Sequence, residues 1–173
     1  IAPSLVAKLP YDPVKDYAPV TLLATAPNII VVHPSVQVRT MKELIALSKA
    51  KPKSINFSSA GVASVGHLTG ELFNTALGAD LQHVPYKGSA QGVIDLLAGQ
   101  IQMLIGGMSS VMPHIKAGRL RAIAVTGPQR SAAVPDVPTV AESILPGYEA
   151  TAWYGLLAPA GTPRAITTRL HAE

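Results

Sequence analysis

Three short loops of the chain combine small residues with hydroxyl groups or a cation, a composition suited to binding an anion. They span residues 58–64 (SSAGVAS), 86–89 (YKGS) and 106–110 (GGMSS). Glycine and alanine let backbone N–H groups approach a ligand closely, and hydroxyls donate hydrogen bonds in several directions. Each loop precedes a predicted helix, whose first N–H groups lack intrahelical partners and attract negative charge. These loops therefore predict a site for a small carboxylated molecule.

The candidate ligand-binding residues come from the first two loops and from the helices predicted to follow them. A helix end contributes only about 0.3–1 kcal/mol to binding an anion, whereas micromolar affinity needs about 8 kcal/mol, so both loops must act together. A purely structural role is the alternative, because serine and glycine are also ordinary turn and N-cap residues. The candidates are Ser58, Ser59, Ala60, Gly61, Ser64, His67, Tyr86, Lys87, Gly88, Ser89 and Ala90.

Sequence patterns for catalysis, metals and nucleotide cofactors are weak or absent. Ser64 and His67 lie three residues apart, but Val62 replaces the first glycine of the G-x-S-x-G nucleophile motif. His67 and Glu71 are one helical turn apart, yet no third metal ligand has a diagnostic spacing. The chain has no cysteine and no glycine-rich phosphate-binding motif. We expect a binding protein without catalytic residues, metal or cofactor, with a hydrolase using Ser64 and His67 as an alternative.

Short apolar strands alternate with helical segments, the pattern of an α/β fold in which a parallel-rich sheet is flanked by helices. In such folds ligands bind beyond the carboxyl ends of the strands, where the loops begin. Two apolar runs at 20–26 and 29–32, separated by Pro27 and Asn28, predict a strand that leaves one sheet and enters another. The remaining strands are predicted at 55–57, 81–85, 101–105, 120–125 and 150–157, and helices at 41–50, from the first loop to 77, at 90–98, 111–116 and 140–143.

Composition places the chain among compact globular proteins. Its 173 residues are 48% hydrophobic and 14% charged, with a mean hydropathy of +0.31. No apolar run approaches the roughly 18 to 20 residues of a membrane span. The net charge of +4 suits an anionic ligand, but the Lys and Arg residues are interpreted as scattered, which argues against nucleic-acid binding. We expect a complete α/β lobe at 28–145, with parts of another lobe and the crossing segments at 1–27 and 146–173.

Seven short motifs, in this order along nearly the whole chain, resemble the substrate-binding proteins of tripartite tricarboxylate transporters, the Bug or TctC-type receptors. Each motif is weak alone, but the ordered set is specific. The motifs are 9–13 (LPYDP) with 16–20 (DYAPV); 56–61 (NFSSAG) with Ser64, His67 and Leu68; 83–89 (HVPYKGS); 121–126 (RAIAVT); 135–139 (PDVPT); 146–149 (PGYE); and 156–163 (LLAPAGTP).

The resemblance implies a periplasmic receptor with a type II periplasmic-binding-protein fold, whose two lobes close on a di- or tricarboxylate, an acidic amino acid or an aromatic acid. It implies delivery of this solute to membrane permease subunits, and export by a signal peptide that is not present in this chain. It also implies that the chain begins inside the first lobe, because family members carry an earlier ligand-gripping loop. We expect a monomer. The effector-binding domain of a cytoplasmic transcription regulator is the alternative binding function.

Overall fold

The computed structural model describes residues 8–173, in which strands and helices alternate as the sequence predicts. The strands are β1 (Tyr17–Val32), β2 (Ile55–Ser59), β3 (Leu81–Pro85), β4 (Met103–Gly107), β5 (Arg121–Val125) and β6 (Thr151–Pro159). The helices are α1 (Met41–Ala50), α2 (Val65–Leu77), α3 (Ser89–Leu97), α4 (Met108–Lys116), α5 (Val140–Ser143) and α6 (Arg164–Ala172).

The described residues group into two compact units. One is Pro27–Thr151, and the other consists of the described residues up to Ala26 together with Ala152–Glu173. In the larger unit the strand order is β3-β2-β4-β1-β5. Strand β2 pairs in parallel with β3 and β4, whereas β1 runs antiparallel to both β4 and β5. The predicted fold class, an α/β fold with a parallel-rich sheet flanked by helices, is confirmed.

The two apolar runs at 20–26 and 29–32 belong to one strand, β1, which continues through Pro27 and Asn28 as the chain passes from one unit into the other. Proline is tolerated because pairing with β4 begins only at Asn28, opposite Gly107, and pairing with β5 begins at Ile29. The predicted strand at 101–105 is displaced, since β4 begins at Met103. In the sheet of the larger unit, β1 thus lies between β4 and β5 and runs antiparallel to both.

Two apolar clusters cover the two faces of this sheet, and β1 contributes to both by alternation. Ile30 and Val32 point into the cluster that includes residues of α1 and α2, such as Met41 and Phe73. Ile29 and Val31 point into the other cluster, with residues of α3 and α4. All four β1 side chains are fully buried, which explains why this strand is a continuous apolar run.

Helix α2 packs unusually close to the sheet because two of its positions carry no side chain. A methyl group on Gly66 would collide with the carbonyl oxygen of Ile105, and one on Gly70 would collide with the ring of Phe57. The helix begins at the N-cap Ser64 and ends at Gly78, which adopts the left-handed conformation. The residue types therefore fix where the amino end of α2 lies, next to the carboxyl end of β2.

The smaller unit contains the pairing of β6 with the first part of β1, followed by α6. The amide of Ala160 donates to the carbonyl of Asp16 at 2.9 Å, and the His171 ring contacts the carbonyl of Val20 at 2.9 Å. Within residues 8–173, no helix has the length and apolar character needed to cross a membrane. Several large apolar side chains of this unit are exposed, including Leu22, Leu23, Trp153, Tyr154 and Leu157.

Candidate functional site

The first two predicted loops lie side by side, because β2 and β3 are neighbouring parallel strands and the loops follow their carboxyl ends. We call residues 60–64 the β2–α2 loop and residues 86–88 the β3–α3 loop. The amide of Gly88 donates to the carbonyl of Ala60 at 3.3 Å, which joins the two loops directly. A methyl on Gly61 would lie 3.2 Å from the carbonyl oxygen of Tyr86. The structure thus brings both candidate segments together at one edge of the sheet.

Side-chain hydroxyls hold the β2–α2 loop in its shape. The Ser59 Oγ lies 3.0 Å from the carbonyl oxygen of Gly61 and accepts from the amide of Gly61 at 3.2 Å. Ser64 Oγ donates to the same carbonyl at 2.8 Å and accepts from the amide of His67 at 3.3 Å, which caps α2. Gly61 has φ 133° and Ala63 has φ 67°, conformations that side chains disfavour. Both serines therefore have the turn and N-cap role weighed above.

The His67 side chain also supports this loop. Its Nδ1 atom accepts a hydrogen bond from the amide of Ala63 at 3.1 Å, and its Nε2 atom lies 3.8 Å from Glu71 Oε1. Ser64 Oγ bonds to backbone groups instead of the imidazole, so the arrangement is not that of a serine nucleophile and its base. Among the described residues, no three His, Cys, Asp or Glu side chains are grouped to hold a metal ion.

His83 is a part of the site that was not among the candidate residues chosen from the sequence. Its Nε2 atom lies 2.7 Å from Ser59 Oγ, and its ring stacks on that of His67 with centroids 4.1 Å apart. The centroid of the Phe57 ring lies 5.0 Å from that of His83. Burial, followed by the neighbouring His67, lowers the pKa of His83, while Glu71 partly opposes this. The period of two in β3, which places His83 on the core-facing side with Leu81, is the available sequence signal.

In the β3–α3 loop, Tyr86 is turned toward α3. Its hydroxyl donates to Asp95 Oδ2 at 2.7 Å, and Gln91 donates to the other oxygen of the same carboxylate at 2.8 Å. Burial, with a further contribution from Asp95, raises the pKa of Tyr86 to about 12. Lys87 is exposed and has no ion pair among the described residues. The tyrosine therefore contributes its ring to the β3–α3 loop, while its hydroxyl is bonded to Asp95 of α3.

The amino end of α3 has no side-chain cap. Its N-cap residue is Gly88, with φ 98°, and open space surrounds the position where a Cβ would stand. Ser89 is half-buried and Ala90 is exposed in the first turn. The first N–H groups of α3 are consequently free of a side-chain acceptor, which leaves them able to bind a carboxylate.

Ser58 lies below the loops and is 1% exposed. Its Oγ atom is the one buried side-chain N or O in residues 8–173 without a hydrogen-bond partner. A methyl group on Gly92 of α3 would stand 2.8 Å from this oxygen. An unpaired buried hydroxyl costs about 1–3 kcal/mol. The structure therefore places Ser58 in the packing between β2 and α3.

The third predicted loop begins at the same edge, where Gly107 is the N-cap of α4 and its carbonyl accepts from Ser110 Oγ at 2.9 Å. Beside it lies a polar cluster that the sequence did not predict. Thr126 Oγ1 accepts from the amide of Asn28 at 2.8 Å and donates to the carbonyl of Ala150 at 2.6 Å. This buried hydroxyl therefore connects Asn28, where the chain enters the larger unit, with Ala150, where the chain leaves it.

The positive charge of the chain is concentrated away from these loops, which corrects the interpretation of scattered cations. Residues 39–53 contain five of the 14 Lys and Arg and one of the 10 Asp and Glu, so this segment alone carries +4 and the remainder balances at nine of each. Glu43, Lys51 and Ser54 line a cavity of about 500 Å³ with Ile55, the first residue of β2. The charged segment therefore borders the amino end of β2, and the loops follow its carboxyl end.

The family described as "Tripartite tricarboxylate transporter family receptor", TctC, matches residues 1–173. The chain belongs to this family. Among curated relatives, it is 37% identical to Protein BugT of Bordetella pertussis over 168 residues, covering 97% of this chain and 52% of BugT. The chain thus spans about half the length of the curated relatives it matches.

Solved structures of TctC and Bug-type proteins share the fold. A Rhodopseudomonas palustris protein solved with adipate is 37% identical and superposes with a TM-score of 0.87, covering 94% of this chain and 55% of that protein. MatC of the same organism, with bound malate, is 32% identical with a TM-score of 0.86, covering 99% of this chain and 58% of MatC. The family and the fold of this TctC chain are those of periplasmic substrate-binding proteins.

Proposed function

We propose that this TctC chain is part of a periplasmic receptor that captures a small carboxylate and presents it, chemically unchanged, to the permease subunits of a tripartite tricarboxylate-type transporter. The observation that carries the proposal is the direct contact between the two loops, with Gly88 bonded to Ala60 beside the uncapped amino end of α3. Relatives solved with adipate and with malate support a carboxylate as the ligand class.

The candidate residues have different roles in this proposal. Backbone amides of the small residues contact the carboxylate, because amides fixed in a turn and at a helix end bind anions without a matching cation. Ser59, Ser64 and His67 hold the β2–α2 loop in shape. Ser58 and Tyr86 pack against α3, and Lys87 adds an exposed positive charge. The contacting positions are Ala60, Ser89 and Ala90. Gly61 and Gly88 permit the close approach of the ligand, since their own amides already donate to Ser59 Oγ and to the carbonyl of Ala60.

A ligand panel tests the carboxylate assignment. Adipate, malate, citrate, glutamate and benzoate are each added to the purified protein, with the neutral diamides of adipate and malate as matched controls. We expect at least one acid to raise the melting temperature, because a ligand that binds only the folded state stabilises it, and we expect no effect of the diamides. A diamide that stabilises the protein as strongly as its acid would overturn the assignment.

Two glycine variants test the location of the site. Gly88→Val replaces a residue at φ 98°, where a side chain strains the loop and covers the amide that α3 presents. Gly118→Val is the control, because Gly118 also has a positive φ, 68°, with open space around it, but follows the carboxyl end of α4. Loss of the acid-induced shift in Gly88→Val alone supports the site. Recovery of the acid unaltered after long incubation supports capture without turnover.

A further inference from the structure

The stacked imidazoles of His67 and His83 connect two different parts of the β2–α2 loop. His67 holds the amide of Ala63, and His83 contacts the hydroxyl of Ser59, which in turn holds Gly61. Since the rings lie with centroids 4.1 Å apart, a change in either ring acts on both anchor points of the loop.

The hydrogen bonds assign a donor or acceptor role to each ring. His67 Nδ1 accepts from an amide, so it carries no proton, and the neutral ring has its proton on Nε2, toward Glu71. Ser59 Oγ has one proton to donate, which goes to the carbonyl of Gly61 while the amide of Gly61 donates back. His83 Nε2 is then the donor to Ser59 Oγ. His67 is neutral in this network, whereas His83 donates from Nε2 in both its neutral and its protonated form.

We propose that His67 and His83 are positioning residues that hold the β2–α2 loop in its carboxylate-binding shape only while His67 Nδ1 carries no proton, so that mild acid releases the loop and its ligand. The inference rests on the proposed function only for the nature of the molecule that is released, because the loop geometry does not depend on that function. It assigns a regulatory role to His83, which lies outside the ligand-contacting positions.

Protonation would disrupt this network at defined atoms. A proton on His67 Nδ1 turns the acceptor for Ala63 into a second donor, so that the hydrogen bond is lost and two N–H groups face each other. Glu71 Oε1 lies 3.8 Å from the Nε2 atom of the same ring. A second positive charge on His83, 4.1 Å away by ring centroids, is then opposed by the first.

The groups facing the pair are known from both packed elements. Helix α2 presents His67 and Glu71, which are ionisable, and β2 presents Phe57 and Ser59, which are not. Because burial and His67 lower the pKa of His83 below its ordinary value of 6.5, the neutral form is favoured in the folded state. The resulting stabilisation is fully present above about pH 6.5 and is lost as the pH falls through the lowered value.

Two variants keep the hydrogen bonds and remove the titration. In His67→Asn, the side-chain oxygen takes the place of Nδ1 as acceptor for Ala63. In His83→Gln, the side-chain amide takes the place of Nε2 as donor to Ser59. His114→Gln is the control, since His114 lies in α4 and contacts Arg119 instead of the loop.

The test is an NMR titration of the ligand-free protein between about pH 5 and about pH 8, across the ordinary titration range of histidine. We expect the amide signals of Gly61 and Ala63 to move together with the ring signals of His67 and His83 in the unaltered protein and in His114→Gln. In His67→Asn the Ala63 signal stays fixed. Loop amides that remain still while the rings titrate, or that move equally in His67→Asn, would overturn the proposal. His67→Asn decides it if His83→Gln does not fold.

A second measurement links the loop to binding. Affinity for adipate and malate is compared at about pH 5.5 and about pH 8, in the unaltered protein and in the variant that combines His67→Asn with His83→Gln. Titration of the ligand itself affects both proteins equally. We expect the affinity of the unaltered protein to fall at least about tenfold more than that of the variant, which corresponds to about 1.4 kcal/mol. An equal fall in both contradicts the inference. If neither acid binds at any pH, the proposed function fails while the NMR titration still decides the role of the histidines.

Discussion

Ser58 and Ser59 are adjacent in β2, yet their hydroxyls have opposite hydrogen-bonding states. Ser58 Oγ is buried against α3 without a partner, whereas Ser59 Oγ bonds to Gly61 and His83 on the other face of the sheet. The alternation of a strand sends neighbouring side chains to opposite faces. The same substitution at the two positions should therefore change stability in opposite directions.

For Ser58→Ala we expect the free energy of unfolding to rise by about 1 kcal/mol, because a buried hydroxyl without a partner is removed. For Ser59→Ala we expect a fall of about 1–3 kcal/mol, because the Gly61 amide and His83 lose their partner. Urea denaturation of both variants measures the difference. Equal destabilisation by both would contradict the assignment of Ser58 as unpaired.

The closeness of α2 to the sheet predicts a large effect at Gly66. Gly66→Ala places a methyl against the backbone carbonyl of Ile105, which cannot move without disturbing β4, so we expect a loss of at least about 3 kcal/mol, at the upper end for overpacking. Gly107→Ala is the matched control, because nothing lies within 4 Å of the added methyl. Thermal melting of both variants checks the contrast, and a stable Gly66→Ala would show that α2 lies farther from the sheet.

The Thr126 hydroxyl predicts a difference between two conservative substitutions. Thr126→Val keeps the shape but leaves the amide of Asn28 and the carbonyl of Ala150 without this partner, so we expect a loss of about 1–3 kcal/mol. Thr126→Ser keeps the hydroxyl and should lose less than about 1 kcal/mol. Chemical denaturation at constant pH compares them. A Val variant as stable as the Ser variant would exclude a stabilising role for this hydroxyl.

Tyr86 predicts a pH dependence at the alkaline end. Its pKa of about 12 in the folded protein, above the ordinary 10.0, means that folding favours the protonated phenol. This contribution is complete below about pH 10 and is lost as the pH rises through 12. The absorbance of phenolate, compared between the unaltered protein and Tyr86→Phe, isolates this residue from the other tyrosines. A Tyr86 that titrates at its ordinary pKa would show that its phenol is neither buried nor bonded to Asp95.

The fold was largely predictable from the sequence, because periodicity and stop residues mark the elements that position the loops. Helix α1 begins after the Thr40 cap, and β3 occupies the predicted Leu81–Pro85. A strand that passes from one sheet to another near Pro27 was predicted, but its unbroken path through the proline was not, since tolerance of proline depends on where pairing with β4 begins. Local pattern reports a residue's own preference, but register is a property of two strands.

The candidate site was predicted at the level of loops, whereas the partners of individual side chains were not. Gly88 and Ala60 were both singled out, but their contact follows from the parallel pairing of β2 with β3. The roles of His83 and Thr126 depend on groups 24 and 98 residues away along the chain. Hydrogen bonds over such separations have no signature in the neighbouring residues.

The separation of the charged segment 39–53 from the loops has a consequence for ionic strength. Strand β2, which lies between them, has five residues and so spans about 16 Å, twice the screening length of about 8 Å in physiological salt. In physiological salt, segment 39–53 therefore contributes little to the field that an anion experiences at the loops, whereas the exposed Lys87 lies within them. The segment should attract an anion at the loops appreciably only in dilute buffer of about 0.01 M, where the screening length of about 30 Å exceeds the length of β2.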